Sequence, residues 1–215
     1  MATADLPILL FKSTKAWAEW LDQHPDAPGL WVRLAKKTAS LASITYAEAL
    51  DVALCYGWID SQKQTHDEHS WRQKFTPRGD RSIWSRVNRE KAEAFIADGT
   101  MRPAGLRAVN RARQNGRWDA AYDSHSRATV PADLQAALDR NAKAMKFFAT
   151  VSSNNRYAIL FRIQTAVKPE TRARRIQEFV AMLAKSETLH PQAPVSHGAA
   201  KRAARPTRPK QPKRK

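Results

Sequence analysis

The chain is poor in the residues that build several common kinds of site. Its 215 residues include a single cysteine, Cys55, so no disulfide can close within it and no thiolate cage can form around zinc. Its seven glycines make no phosphate loop and no dinucleotide fingerprint, and there is no Gly-x-Ser-x-Gly elbow for a serine nucleophile. No apolar run reaches the roughly 18 residues of a membrane-crossing helix, so no membrane span is expected. The start, Met1 to Asp5, has no basic run, and the apolar stretch Leu6–Phe11 is shorter than a secretory core; the expectation is cytoplasmic residence. Acids are scarce as well: 20 Asp and Glu stand against 37 Lys and Arg, for a formal charge of +17. Residues 201–215 hold Lys201, Arg202, Arg205, Arg208, Lys210, Lys213, Arg214 and Lys215 and no acid. Without those eight the balance is 29 against 20, or +9, so the rest of the chain is basic too.

Apolar residues make up 42% of the chain and are spread through residues 6–185, which is ordinary for a folded protein. Residues 13–24 predict a short helix, capped by Ser13 or Thr14, with Trp17, Trp20 and Leu21 as its apolar stripe. Gly29–Ala35 predicts a strand. Thr45-Tyr46-Ala47-Glu48 is a capping box, and the helix it opens stops at Gly57. Trp58–Gln64 and Ser70–Phe75 predict two strands of a hairpin joined by the polar loop Thr65–His69. A helix from about Ile83 to Ala97, capped by Ser82, and another opened by Pro103 follow. From Pro131 onward the pattern is helical only, with caps expected at Asn141 and Ser153 and a last helix opening at Lys168–Thr171. The fold class is therefore α+β, mainly helical. An amino-terminal subdomain (1–118) carries a small antiparallel sheet, and a carboxy-terminal helical module (119–188) follows. The tail (189–215) has too little apolar bulk to offset its ordering entropy and is expected to be disordered.

The stretch Trp58–Asn88 concentrates recognition chemistry. It holds Trp58, Trp71 and Trp84 among the seven tryptophans, with Phe75, Asp60 and Gln62. From Trp71 to Lys91 seven Lys or Arg face two acids. Aromatics interleaved with cations suit an anionic or planar partner. Strand alternation puts Trp58 and Asp60 on one face, and a paired strand brings Trp71 and Phe75 beside them. The expected ligand site is Trp58, Asp60, Gln62, Trp71, Phe75, Arg78, Trp84 and Asn88, with the indoles around one hollow. The bland alternative is a solvated strand face with Asp60 in an ordinary ion pair. His66 and His69 flank two acids, but a loop pair without further ligands makes no structural metal site, and neither metal nor cofactor is expected. Cys55 reads as a small buried hydrophobe rather than a nucleophile.

Six blocks resemble a known family. Ser43–Leu50, Cys55–Asp60, Phe75–Arg78 and Ser82–Asn88 resemble the amino-terminal block of the YdeI/OmpD-associated, or bacteriocin-protection, proteins. Asn155–Leu160 and Ala166–Ile176 resemble that family's carboxy-terminal helical module. The resemblance spans about residues 10–188. It implies protection against bacteriocins or antimicrobial peptides and association with a porin, and it assigns no catalytic residues. The functional expectation is a binding protein without enzymatic activity. One alternative is a nucleic-acid-associated protein using the eight cations of residues 201–215; another is an enzyme centred on Asp60.

Overall fold

The computed structural model describes residues 6–192. The cations of residues 201–215, and the disorder expected for them, lie outside the described residues. A parallel pair opens the chain: β1 (Ile8–Leu10) and β2 (Leu30–Ala35), with α1 (Thr14–Gln23) as the crossover. Next come α2 (Tyr46–Cys55), β3 (Trp58–Thr65), β4 (Ser70–Pro77), α3 (Arg86–Ala97) and α4 (Pro103–Gln114). The strands form one sheet in the order β1-β2-β4-β3, antiparallel except for β1 with β2. The expected antiparallel hairpin is therefore there, and a parallel edge is added to it. That edge has only three residues, too few for an alternation to show in sequence.

Alternation decides what each face of the sheet does. Leu30, Val32, Leu34 and Phe75 point to one side and are buried against Trp17, Leu21, Leu50, Ala53 and Leu54 of the helices. Side chains one position along from them point to the opposite face and stay half-exposed. The tight approach of α4 to α2 is permitted by Gly105: a Cβ there would sit 2.2 Å from the Cys55 carbonyl oxygen.

One helix start differs from expectation. Ser85, not Ser82, caps α3, accepting from the Asn88 amide at 3.2 Å. The intervening residues are drawn into other bonds. The Ile83 carbonyl accepts from Arg78, and the Trp84 carbonyl accepts from the Tyr122 amide at 3.0 Å. Similarly, Ser152 rather than Ser153 caps the helix Ser153–Gln164.

The second unit is α5 (Ala132–Asp139), α6 (Ala142–Phe148), α7 (Ser153–Gln164) and α8 (Pro169–Ala184). Its separate core includes Leu134, Leu138, Phe148, Ile159, Ile163, Phe179 and Leu183. The segment between the two cores is held by Tyr122, which stacks edge-on to Phe161 at 4.8 Å, and by Asp123. Asp123 accepts from Arg86 and Gln164, each at 3.0 Å. The first residues of the expected tail are ordered here: the buried Asn155 amide donates to the His190 carbonyl and accepts from its N–H. A side chain that offers both a donor and an acceptor to the backbone fixes it as a strand partner would. Among the described residues no helix is long and apolar enough to cross a membrane.

Candidate functional site

The site starts from the capping box. The Thr45 hydroxyl accepts from the Glu48 amide at 3.2 Å, and the Glu48 carboxylate accepts from the Thr45 amide at 2.7 Å. This fixes the first turn of α2 and stands Tyr46 against the sheet. The Tyr46 ring lies 6.0 Å from Trp71, and its hydroxyl donates to Asp60 at 2.8 Å. Burial, and then the bond to and charge of Asp60, push the Tyr46 phenol well above its ordinary value. It therefore stays a donor at any physiological pH.

A β-bulge supplies the next group. Asp60 pairs with Phe75 and Lys63 pairs with Gln73, so Ser61 and Gln62 together oppose Lys74. Simple alternation would carry Gln62 onto the face of Asp60. The extra residue instead puts Lys63 there, with its ammonium 4.3 Å from the centre of the Trp71 ring. The result is a cleft of about 510 Å³ whose walls include Tyr46, Trp71, Lys36, Lys37 and Lys63. Among the described residues no carboxylate lines it. Lys36 donates to the Asp67 carbonyl at 2.8 Å, a bond that leaves its charge uncompensated.

Behind Tyr46 lies a buried cation. Arg78 is 4% exposed and stacks 3.5 Å above the centre of the Trp84 ring. Its Nη1 donates to the Ile83 carbonyl at 3.0 Å, while Nε and Nη2 have no hydrogen-bond partner among the described residues. Burial pulls the guanidinium down to about 9, against the opposing charge of Asp60, so it remains cationic near neutrality. Burial and Asp60 also raise the Tyr122 phenol. Shifted groups that share Asp60 as neighbour are the usual mark of a functional region, and they also arise in structural networks.

Trp84, Arg78, Asp60, Tyr46 and Trp71 thus form one connected series that ends at the cleft wall. The remaining expected site residues lie elsewhere. Trp58 and Phe75 are 4% and 0% exposed and pack with Trp17 in the core. Gln62 is turned out to solvent by the bulge. Asn88 is buried in the first turn of α3, with its amide on the Ser85 cap. The three indoles occupy separate packing layers: Trp58 with Trp17 and Trp20, Trp71 with Tyr46, and Trp84 with Trp118. Trp58 and Trp71 share the helix-covered face of the sheet, but they stand at opposite ends of the β3–β4 hairpin, and at the Trp71 end the cover is only partial. Sequence reading missed Tyr46, Lys36, Lys37, Lys63 and Tyr122. The capping box located Tyr46 but not what it faces, and the bulge has no glycine to mark it.

The histidine loop is occupied by another task. Asp67 accepts from the Ser70 hydroxyl at 2.7 Å and from Arg33 at 2.6 Å. The Ser70 hydroxyl, the neighbouring amides and Arg33 hold the Asp67 carboxyl at about 2. Among the described residues no three His, Cys, Asp or Glu gather as metal ligands. Burial pushes the Cys55 thiol up, away from thiolate chemistry.

Residues 9–108 match a family model described as a domain of unknown function (DUF8412). Residues 127–186 match a second model, described as bacteriocin-protection, YdeI or OmpD-associated. No curated protein and no solved structure matches the chain. The cleft and the Arg78 series up to Trp84 fall within the first matched region, and α5–α8 fall within the second. Residues 127–186, which hold the motifs Asn155–Leu160 and Ala166–Ile176, are similar to the YdeI/OmpD-associated bacteriocin-protection family, whereas the amino-terminal blocks between Ser43 and Asn88 that were expected to resemble it fall within the first match instead.

Proposed function

We propose that the chain is a cytoplasmic binding protein for a small planar anion, acting in stress or antimicrobial-peptide resistance. The observation that carries this reading is the composition of the cleft: two aromatic walls, three lysines and no acid. A flat ring inserted against Trp71 gains stacking area. An acidic group on that ring meets lysines that no carboxylate in the cleft neutralises. Asp60 is not among the cleft's lining residues; it fixes the Tyr46 wall through the phenol hydrogen bond. Thr45, the hydroxyl nearest the helix end, is committed to the cap. These features support binding rather than bond cleavage. The description of the second matched family is what brings bacteriocin protection to this chain. A cleft of this charge repels a cationic peptide, so protection would run through an anionic metabolite rather than through capture of the peptide itself.

The reading is tested by calorimetric titration with an aromatic carboxylate, its uncharged amide and an aliphatic carboxylate. The aromatic acid is expected to bind most tightly. Trp71→Ala and the pair Lys37→Gln with Lys63→Gln should each weaken it by about tenfold, the scale of one stacking or charge contact of roughly 1.4 kcal/mol. Equal binding of all three probes, or an unchanged isotherm in both variants, would refute the assignment.

A further inference from the structure

The sheet has a second face, independent of the cleft. Cross-strand partners share a side, so Ile8, Trp31 and Lys74 form one row, and Leu10, Arg33, Arg72 and Gln64 form the next. These positions alternate with the buried Val32, Leu34 and Gln73, and they face away from the core. Trp31, Arg33, Arg72 and Lys74 are half-exposed. No Asp or Glu occurs in β1, β2 or β4, and the single acid of β3, Asp60, pairs with the core residue Phe75 on the other side. The Arg72 guanidinium lies 4.7 Å from the centre of the Trp31 ring. It is held there by the neutral amide of Gln64, at 2.6 and 3.1 Å, rather than by an acid. Among the described residues, Arg33 is the one cation of the face with a carboxylate partner, Asp67.

We propose that this face is a platform for single-stranded nucleic acid. An indole already stacked with a guanidinium offers a second planar surface, and any base presents a π-face to it. Arg72 and Lys74 then stand in reach of the phosphates on either side. Gln64, Gln62 and Thr76 supply uncharged donors and acceptors around the rim. A strand face rather than a projecting helix favours single strands over duplex, whose bases are already stacked on one another. The cations of residues 201–215 add an electrostatic contribution that does not read sequence. An acidic protein or an anionic membrane would use the charge of this face but not the stacking surface of Trp31.

The test uses the full chain and fluorescence anisotropy of labelled oligothymidylate, oligouridylate and a duplex across a salt series. Single strands are expected to bind more tightly than duplex. Trp31→Ala should weaken single-strand binding by about tenfold and leave the duplex unaffected, since stacking is worth roughly 1–3 kcal/mol per base. The pair Arg72→Gln with Lys74→Gln should reduce the log–log salt slope by about 1.4, or roughly 0.7 per phosphate contact. Replacing the cations of residues 201–215 by Gln should weaken single strands and duplex alike. Circular dichroism of each variant establishes that it is folded, and the exposed-side charge pair keeps the test intact if Trp31→Ala is not. The proposal is overturned if the charge pair leaves the slope unchanged. It is equally overturned if polyglutamate or anionic phospholipid vesicles displace the oligonucleotide through the same two residues.

Discussion

Replacing Gly105 by alanine sets two effects of opposite sign against each other. Gly105 lies inside α4, where alanine is favoured over glycine by about 1 kcal/mol. A Cβ at this position would meet the Cys55 carbonyl oxygen at 2.2 Å and the Met101 sulfur at 2.3 Å. The thioether is soft and can turn aside. The carbonyl cannot, because it belongs to the last residue of α2 and accepts from the Arg102 amide at 3.1 Å. Restoring an ordinary 3.4 Å contact needs 3.4 − 2.2 = 1.2 Å of separation between the two helices. Overpacking costs about 1–3 kcal/mol, and a forced separation of this size belongs at the upper end, about 3 kcal/mol, so the clash outweighs the propensity gain. The expected net loss is about 2 kcal/mol, which lowers the melting temperature by roughly 4–8 °C in a domain of this size. Because α2 carries Tyr46 at its other end, affinity in the cleft should fall with it. Gly79→Ala is the control: nothing lies within 4 Å of its Cβ, and its change should stay within about 0.5 kcal/mol. Thermal unfolding by circular dichroism decides the matter. A Gly105→Ala protein that melts at or above the parent temperature would show that the two helices are not in rigid contact.

The acid limb of stability should depend on Asp67. Its folded carboxyl sits at about 2, below the ordinary value of 3.8, so its contribution is present above about pH 4 and disappears as the pH falls toward 2. Asp67→Asn should therefore be less stable than the parent at pH 6 and lose less between pH 4 and pH 2; parallel acid-denaturation curves would contradict this. Asp123 is 7% exposed and bonds Arg86 and Gln164 across the junction between the two cores. Asp123→Ala should cost about 1–3 kcal/mol, by leaving the half-buried Gln164 amide and the Arg86 guanidinium without their acceptor. A melting temperature within about 1 °C of the parent would count against a structural role for that junction.

Local chemistry was legible from the chain wherever a residue acts on its neighbours. The Thr45–Glu48 box, Ser13, Asn141 and the proline openings at Pro103 and Pro169 all do in the structure what their side chains can do alone. The cap at Ser82 was misplaced because Arg78 and Tyr122, distant in sequence or direction, claim the carbonyls of Ile83 and Trp84. The candidate site shows the same division. Asp60, Trp71, Arg78 and Trp84 were visible as unusual residues, whereas Tyr46 and Lys63 were not.

Composition and periodicity by themselves determined the α+β class, the hairpin, the succession of helices and the strongly basic character of the chain. Only tertiary structure decided which indole is core and which is wall, that a bulge exchanges Gln62 for Lys63, and that the strands place no acid on one side of the sheet. The physical reason is that hydrogen bonds within a turn or a cap are satisfied by residues a few positions apart. The side of a strand that becomes buried depends instead on which helices cover it, and those come from the far parts of the chain.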